Sequence, residues 1–275
     1  MKKLIKLDPQ CLTKFELSFK VNHTLNKDEG IRVLNLDSKA YSYTDNGAYL
    51  KRLGQYQSIV NDKIKNPFQE KLFSALASIA DTPIDLYLGG DFHENSYLFA
   101  FWLILGGAKR NGKIKIMKNS DLLIKRLFTS LNITPTFKIT KDILNIGFDI
   151  NDSDFFYKIY YFLNKENYQS ISTAQRKWLK KFIDFLGDKY KYWFFISERY
   201  RLGDEGIGRK KLYLEFLTDL GTKEKRTHKI IAELFKIVNC HFKISELTSI
   251  LNSIDGNIII LAFEPDGTTT FYIRI

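Results

Sequence analysis

The densest chemistry in the chain lies in the stretch Gly89-Gly90-Asp91-Phe92-His93-Glu94-Asn95. The residues before it, Ile84 to Leu88, read as a short strand, and Tyr97 to Gly106 reads as an apolar helix stopped by Gly106-Gly107. A turn between strand and helix is where open α/β sheets hold ligands. Gly89 and Gly90 would let a ligand approach the backbone, and Asn95 and Ser96 would sit where free helix amides favour an anion. Asp91, His93 and Glu94 would then act as acid and base, or as metal ligands. Helix capping by Asp91, Asn95 or Ser96 explains the same residue types, so both readings stand. Neither a particular metal nor a particular cofactor is specified.

A second group is basic. Arg199, Arg201, Arg209, Lys210 and Lys211 surround a glycine-rich segment, and Lys225, Arg226 and Lys229 follow. The chain carries 42 basic against 31 acidic residues, a formal charge of +11. Such a surplus favours polyanions, because binding releases condensed counterions. The expected partner is therefore nucleic acid, held through phosphate contacts. Base reading is not expected, since the segment Ser245 to Ser249 offers no arginine to a groove. Two alternatives remain open. One is an enzyme acting on a nucleotide-like or phosphorylated small molecule at the Gly89–Asn95 turn. The other is a non-catalytic assembly module using the aromatics of Asp154 to Tyr168.

Several classes are excluded by pattern. The chain has neither a P-loop nor a dinucleotide fingerprint, and no Gly-x-Ser-x-Gly elbow. Cys11 and Cys240 are the only cysteines, so a disulfide framework is out, and Cys240-His241 lacks zinc-ligand spacing. No apolar run reaches the ~18–20 residues of a membrane span. A soluble, cytoplasmic protein is the expectation, with its oligomeric state open.

The elements that must position these residues read as follows. Phe15-Leu17-Phe19-Val21 alternates as a strand does, and Ile31 to Leu36 reads as the next strand. Phe68, Leu72, Phe73, Leu76 and Ile79 recur at helical spacing after Pro67. Strand, helix, strand, helix, strand over 84–140 predicts a mostly parallel sheet flanked by helices, a Rossmann-like βαβαβ domain over 1–150. A mainly helical part over 151–275 follows, with helices expected at Lys211–Leu220, Glu224–Val238 and Ser245–Ser253. The chain ends in a hairpin of Asn257–Phe263 and Thr269–Ile275, and three helices followed by a hairpin is a winged-helix-like order.

Overall fold

In the computed structural model, residues 15–22, 27–35, 46–82, 85–93, 96–108, 114–202, 210–220, 225–239 and 257–274 are described. Their strands form five successive hairpins. These pair β1 (Phe15–Asn22) with β2 (Lys27–Asn35), β3 (Asp85–His93) with β4 (Ser96–Ile104), and β7 (Ile143–Ile150) with β8 (Phe155–Phe162). The last two pair β9 (Tyr192–Arg201) with β10 (Lys210–Leu220), and β11 (Asn257–Phe263) with β12 (Thr269–Arg274). Each hairpin joins its neighbours antiparallel, and β1 meets β12 to close a ten-stranded barrel. A small ribbon of β5 (Gly106–Ala108) and β6 (Ile114–Ile116) forms a second sheet beside it.

Helices fill the gaps between hairpins: α1 (Asn46–Lys63) and α2 (Gln69–Ser78), then α3 (Ser120–Leu131), α4 (Thr173–Leu186) and α5 (Lys225–Val238). Leu72, Phe73 and Phe128 of the first group pack on Phe101, Leu103 and Phe148 of β4 and β7. Phe182, Ile231 and Leu234 of the second group pack on Leu212, Leu214 and Phe263 of β10 and β11. Alternate residues of the same strands form a separate cluster in which no helix takes part, with Tyr160, Phe195, Tyr213 and Ala262 at its centre. Side chains alternate across a strand, so one set faces out beneath the helices and the other faces the barrel lumen.

A capping box starts α4: Ser172 accepts from the Gln175 backbone, and the Gln175 side chain accepts from the Ser172 backbone. Gln175 is fully buried, and its amide also donates to the carbonyls of Lys210 and Phe263, fastening the helix to β10 and β11. At α3, Arg126 forks onto Asp81 with two bonds of 3.0 Å and also donates to the Ser78 carbonyl, tying α3 to the end of α2.

This architecture corrects the expected mostly parallel, Rossmann-like sheet and the winged-helix-like ending. Every strand pair among the described residues is antiparallel. The segment read as a helix from Tyr97 onward is β4, apolar throughout because Phe99, Phe101 and Leu103 lie beneath helices while Ala100 and Trp102 take the opposite parity. A strand buried on both faces loses its two-residue period and imitates a buried helix. Gly89 to His93 is therefore the end of β3 rather than a helix-opening turn, with Gly89 paired to Ala100 and Asp91 to Leu98. Lys211–Leu220 is likewise strand, within β10, and no strand forms at Thr136–Thr140. The helix at α5 and the terminal hairpin occur as read, but the hairpin belongs to the barrel wall. Ser245–Ser253 lies outside the described residues.

Candidate active site in the barrel lumen

Four adjacent strands place Trp102, Gly147, Lys158 and Arg199 in one cross-strand row. Asp149 stands two residues along β7 from Gly147, opposite Ala100 on one side and Phe156 on the other. Its carboxylate is wholly buried and pairs with the Lys158 ammonium, itself only 9% exposed. Arg199 approaches the same carboxylate oxygen at 3.6 Å, and its guanidinium lies 3.8 Å from the Phe156 ring centroid. Two cations thus converge on one buried anion. Burying charge is costly unless it is paired, which is why this arrangement needs all three groups. Among the described residues the Arg199 Nε has no hydrogen-bond partner, nor does the Asn145 side-chain oxygen on β7's lumen parity.

Beyond this cluster the lumen is aromatic. Trp102 donates its indole N–H to Tyr160 at 3.0 Å. Tyr213 stacks on Phe195 with centroids 4.5 Å apart and bonds Ser197 at 3.1 Å. Trp193 packs against Phe195 and Phe162 and donates to Glu215 at 2.7 Å. Ala262 and Thr270 follow Tyr213 in the same row, so small residues oppose the stacked rings. The Thr270 hydroxyl is buried without a hydrogen-bond partner among the described residues. The site therefore combines cations able to hold an anionic group with ring faces able to lie against a hydrocarbon or a cation.

A separate polar seam lies outside the barrel between the two helix groups. Tyr200 donates to Glu198, which also pairs with Lys210 at 2.7 Å. Burial, then the bond and charge of Glu198, push the Tyr200 hydroxyl far above the usual tyrosine range.

The basic residues expected to contact nucleic acid are dispersed by this fold. Arg199 points at Asp149, Arg201 at Asp154, Lys210 at Glu198 and Lys211 at Glu264. These four pair with carboxylates of the barrel wall and lumen, so they do not line up as an outer surface for nucleic acid. Lys225, Arg226 and Lys229 stand on α5, and Arg209 lies outside the described residues. Of the Gly89–Asn95 group, Gly89, Gly90, Asp91 and His93 are on β3, Ser96 opens β4, and Glu94 and Asn95 lie outside the described residues. Among the described residues no group of three or more His, Cys, Asp or Glu side chains is placed to hold a metal ion. No helix among them is long and apolar enough to cross a membrane.

Sequence reading missed Asp149, Lys158, Trp102, Tyr160, Tyr213 and Glu215. A usable signal was present: Asp149 and Lys158 are the lone charges inside the apolar runs Ile143–Ile150 and Phe155–Phe162. A charge there must be paired or functional, because such runs are buried.

No family model matches the sequence, and no curated protein does either. Solved structures do match in fold. A 6-dimethylallyl tryptophan synthase superposes with a TM-score of 0.66 at 13% identity, over 95% of this chain and 80% of the other. The 6-dimethylallyltryptophan synthase from Micromonospora olivasterospora, solved in complex with DMASPP and Trp, gives 0.63 at 14% identity, over 95% and 81%. AnaPT from Neosartorya fischeri gives 0.57 at 10% identity, over 95% and 77%. The chain therefore shares the antiparallel barrel fold of these solved structures, which replaces the expectation of a nucleic-acid-binding fold.

Proposed function

We propose that this protein is an enzyme that binds a prenyl diphosphate in its barrel lumen and transfers the prenyl group to an aromatic acceptor. The observation that carries the reading is the buried Lys158–Asp149–Arg199 cluster beside a wall of lumen aromatics, in a barrel shared with tryptophan-modifying synthases. The expectation of an enzyme acting on a phosphorylated small molecule thus moves from the Gly89–Asn95 segment to the lumen.

The chemistry follows from those groups. Ionisation of an allylic diphosphate breaks the bond from carbon to oxygen and leaves the electron pair, and hence negative charge, on the diphosphate. Lys158 and Arg199 sit where they would stabilise that growing charge in a water-poor site. The allylic cation left behind is stabilised by the ring faces of Trp102, Tyr160 and Tyr213. A carbon–carbon bond then forms to the acceptor ring, whose displaced proton passes to a lumen carboxylate; Glu215 is the candidate, since Asp149 is held between two cations.

The test is direct. The protein is incubated with dimethylallyl diphosphate and tryptophan or simpler indoles, and products are read by mass and by diphosphate release. Acceptor carrying one added dimethylallyl group is the expected product, with Lys158→Ala and Arg199→Ala losing both turnover and binding of inorganic pyrophosphate. Wild-type protein that binds no pyrophosphate would remove the reading.

A further inference from the structure

Trp102 on β4 stands directly opposite Gly147 on β7. A Cβ added at Gly147 would lie 3.0 Å from Cδ1 and 3.2 Å from Nε1 of Trp102, and 3.3 Å from Cε2 of Tyr160. The indole therefore rests on bare backbone, in space that any larger residue at 147 would take. Its N–H donates to Tyr160 Oη at 3.0 Å, which fixes the ring's orientation there. Gly147 also has Lys158 as its partner on β8, so Trp102 and Lys158 flank Gly147 in a single row.

From this placement we infer that Trp102, laid across Gly147 and held by Tyr160, sets the longest hydrocarbon tail that the lumen accepts on a diphosphate ligand. The inference rests on the prenyl-transfer reading above. A diphosphate held by Lys158 and Arg199 must run its tail along the lumen wall beside them. The indole, bonded to Tyr160 and seated over Gly147, is the bulkiest side chain in that row. Removing it lengthens the available path, whereas a methyl group at 147 would lift the ring off the sheet and shorten the path. Trp102 is a specificity-determining residue in this scheme and takes no part in proton transfer.

Equilibrium binding separates this role from a merely structural one. Inorganic pyrophosphate, dimethylallyl thiolodiphosphate and geranyl thiolodiphosphate are titrated calorimetrically into the wild type, Trp102→Ala, Trp102→Leu and Gly147→Ala. Pyrophosphate affinity should be the same in all four proteins. The preference for dimethylallyl over geranyl should fall by about tenfold or more in Trp102→Ala and by less in Trp102→Leu, in keeping with what one or a few methylenes contribute in a shaped pocket. Gly147→Ala should increase that preference. Equal pyrophosphate binding with an unchanged preference in Trp102→Ala and Trp102→Leu overturns the inference while leaving the anion site standing. Absent pyrophosphate binding in the wild type overturns the underlying reading as well.

Discussion

Trp193 of β9 donates its indole N–H to Oε2 of Glu215, its cross-strand partner on β10, over 2.7 Å. This couples an aromatic wall residue to a lumen carboxylate, so Glu215 is oriented before any acceptor arrives. A hydrogen bond to a charged acceptor contributes about 1.5–3 kcal/mol, roughly twice a neutral one. Glu215→Ala should therefore destabilise the fold by about 1.5–3 kcal/mol, and Glu215→Gln by about half of that. Urea denaturation gives the stabilities. Tryptophan fluorescence gives the local change, because Trp193 is one of 3 tryptophans and the other two keep their surroundings. Equal losses for both variants would show that the bond contributes nothing beyond packing.

The Asp149 cluster makes a prediction of linked stability. Asp149→Asn removes the negative charge on which Lys158 and Arg199 converge and leaves two half-buried or buried cations facing each other. Breaking a buried ion pair from one side costs about 3–5 kcal/mol. Pyrophosphate supplies anionic charge to the same cations, so it should raise the melting temperature of Asp149→Asn by more than that of the wild type. Thermal unfolding across a pyrophosphate series checks this. A smaller shift in the variant than in the wild type would mean that the anion binds elsewhere.

Much of the local structure was legible in the sequence, while the assembly was not. The alternation Phe15-Leu17-Phe19-Val21, the helical spacing through Leu72 and Leu76, and the hairpin around Glu264–Gly267 all correspond to observed elements. Parallel and antiparallel pairing were indistinguishable because a helix follows every second strand in much of the chain, and Phe99 to Leu105 shows no alternation to mark β4 as a strand. That one misassignment turned a hairpin into a strand–helix unit and hence a barrel into a parallel sheet. The candidate site was hidden for a related reason. Lys158 and Arg199 are far apart in sequence but adjacent in register, and cross-strand pairing cannot be read before the topology is known. Arg199 was singled out, but as part of a basic surface; its partner Asp149 lies in a run that gave no motif.

Gln175 offers a test of how the outer helices hold the barrel. Its side chain donates to the carbonyls of Lys210 and Phe263 while its oxygen accepts from the Ser172 backbone. Gln175→Ala abandons two carbonyls and one amide in a buried place, at about 1–3 kcal/mol for each group left unsatisfied. Gln175→Glu should be worse at neutral pH, since a carboxylate can donate to neither carbonyl and repels both. Protonation restores one donor, so part of the loss in Gln175→Glu should be recovered on mild acidification. Chemical denaturation at neutral and mildly acidic pH would reveal this; a Gln175→Glu stability that does not depend on pH would refute the assigned bonds.

Tyr200 predicts the alkaline limit of the fold. Burial and the Glu198 carboxylate push its hydroxyl well above the ordinary tyrosine value of about 10. Burial likewise raises Tyr161 on the neighbouring strand, with Glu198 adding to the effect. A group whose folded pKa is raised contributes stability that is fully present below its unfolded pKa. That contribution is lost as pH climbs toward the folded value, because the unfolded chain releases a proton that the folded one retains. Stability should therefore begin to fall above pH 10, and Tyr200→Phe should lessen the slope of that fall by close to one proton. Below that pH the variant should show only a constant offset from the lost bond to Glu198. Denaturant titrations from neutral to strongly alkaline pH, with tyrosinate absorbance recorded in parallel, measure both the slope and the late-ionising population. If Tyr200→Phe leaves the alkaline slope unchanged, then Tyr200 ionises alike in the folded and unfolded chains and its bond to Glu198 does not protect it.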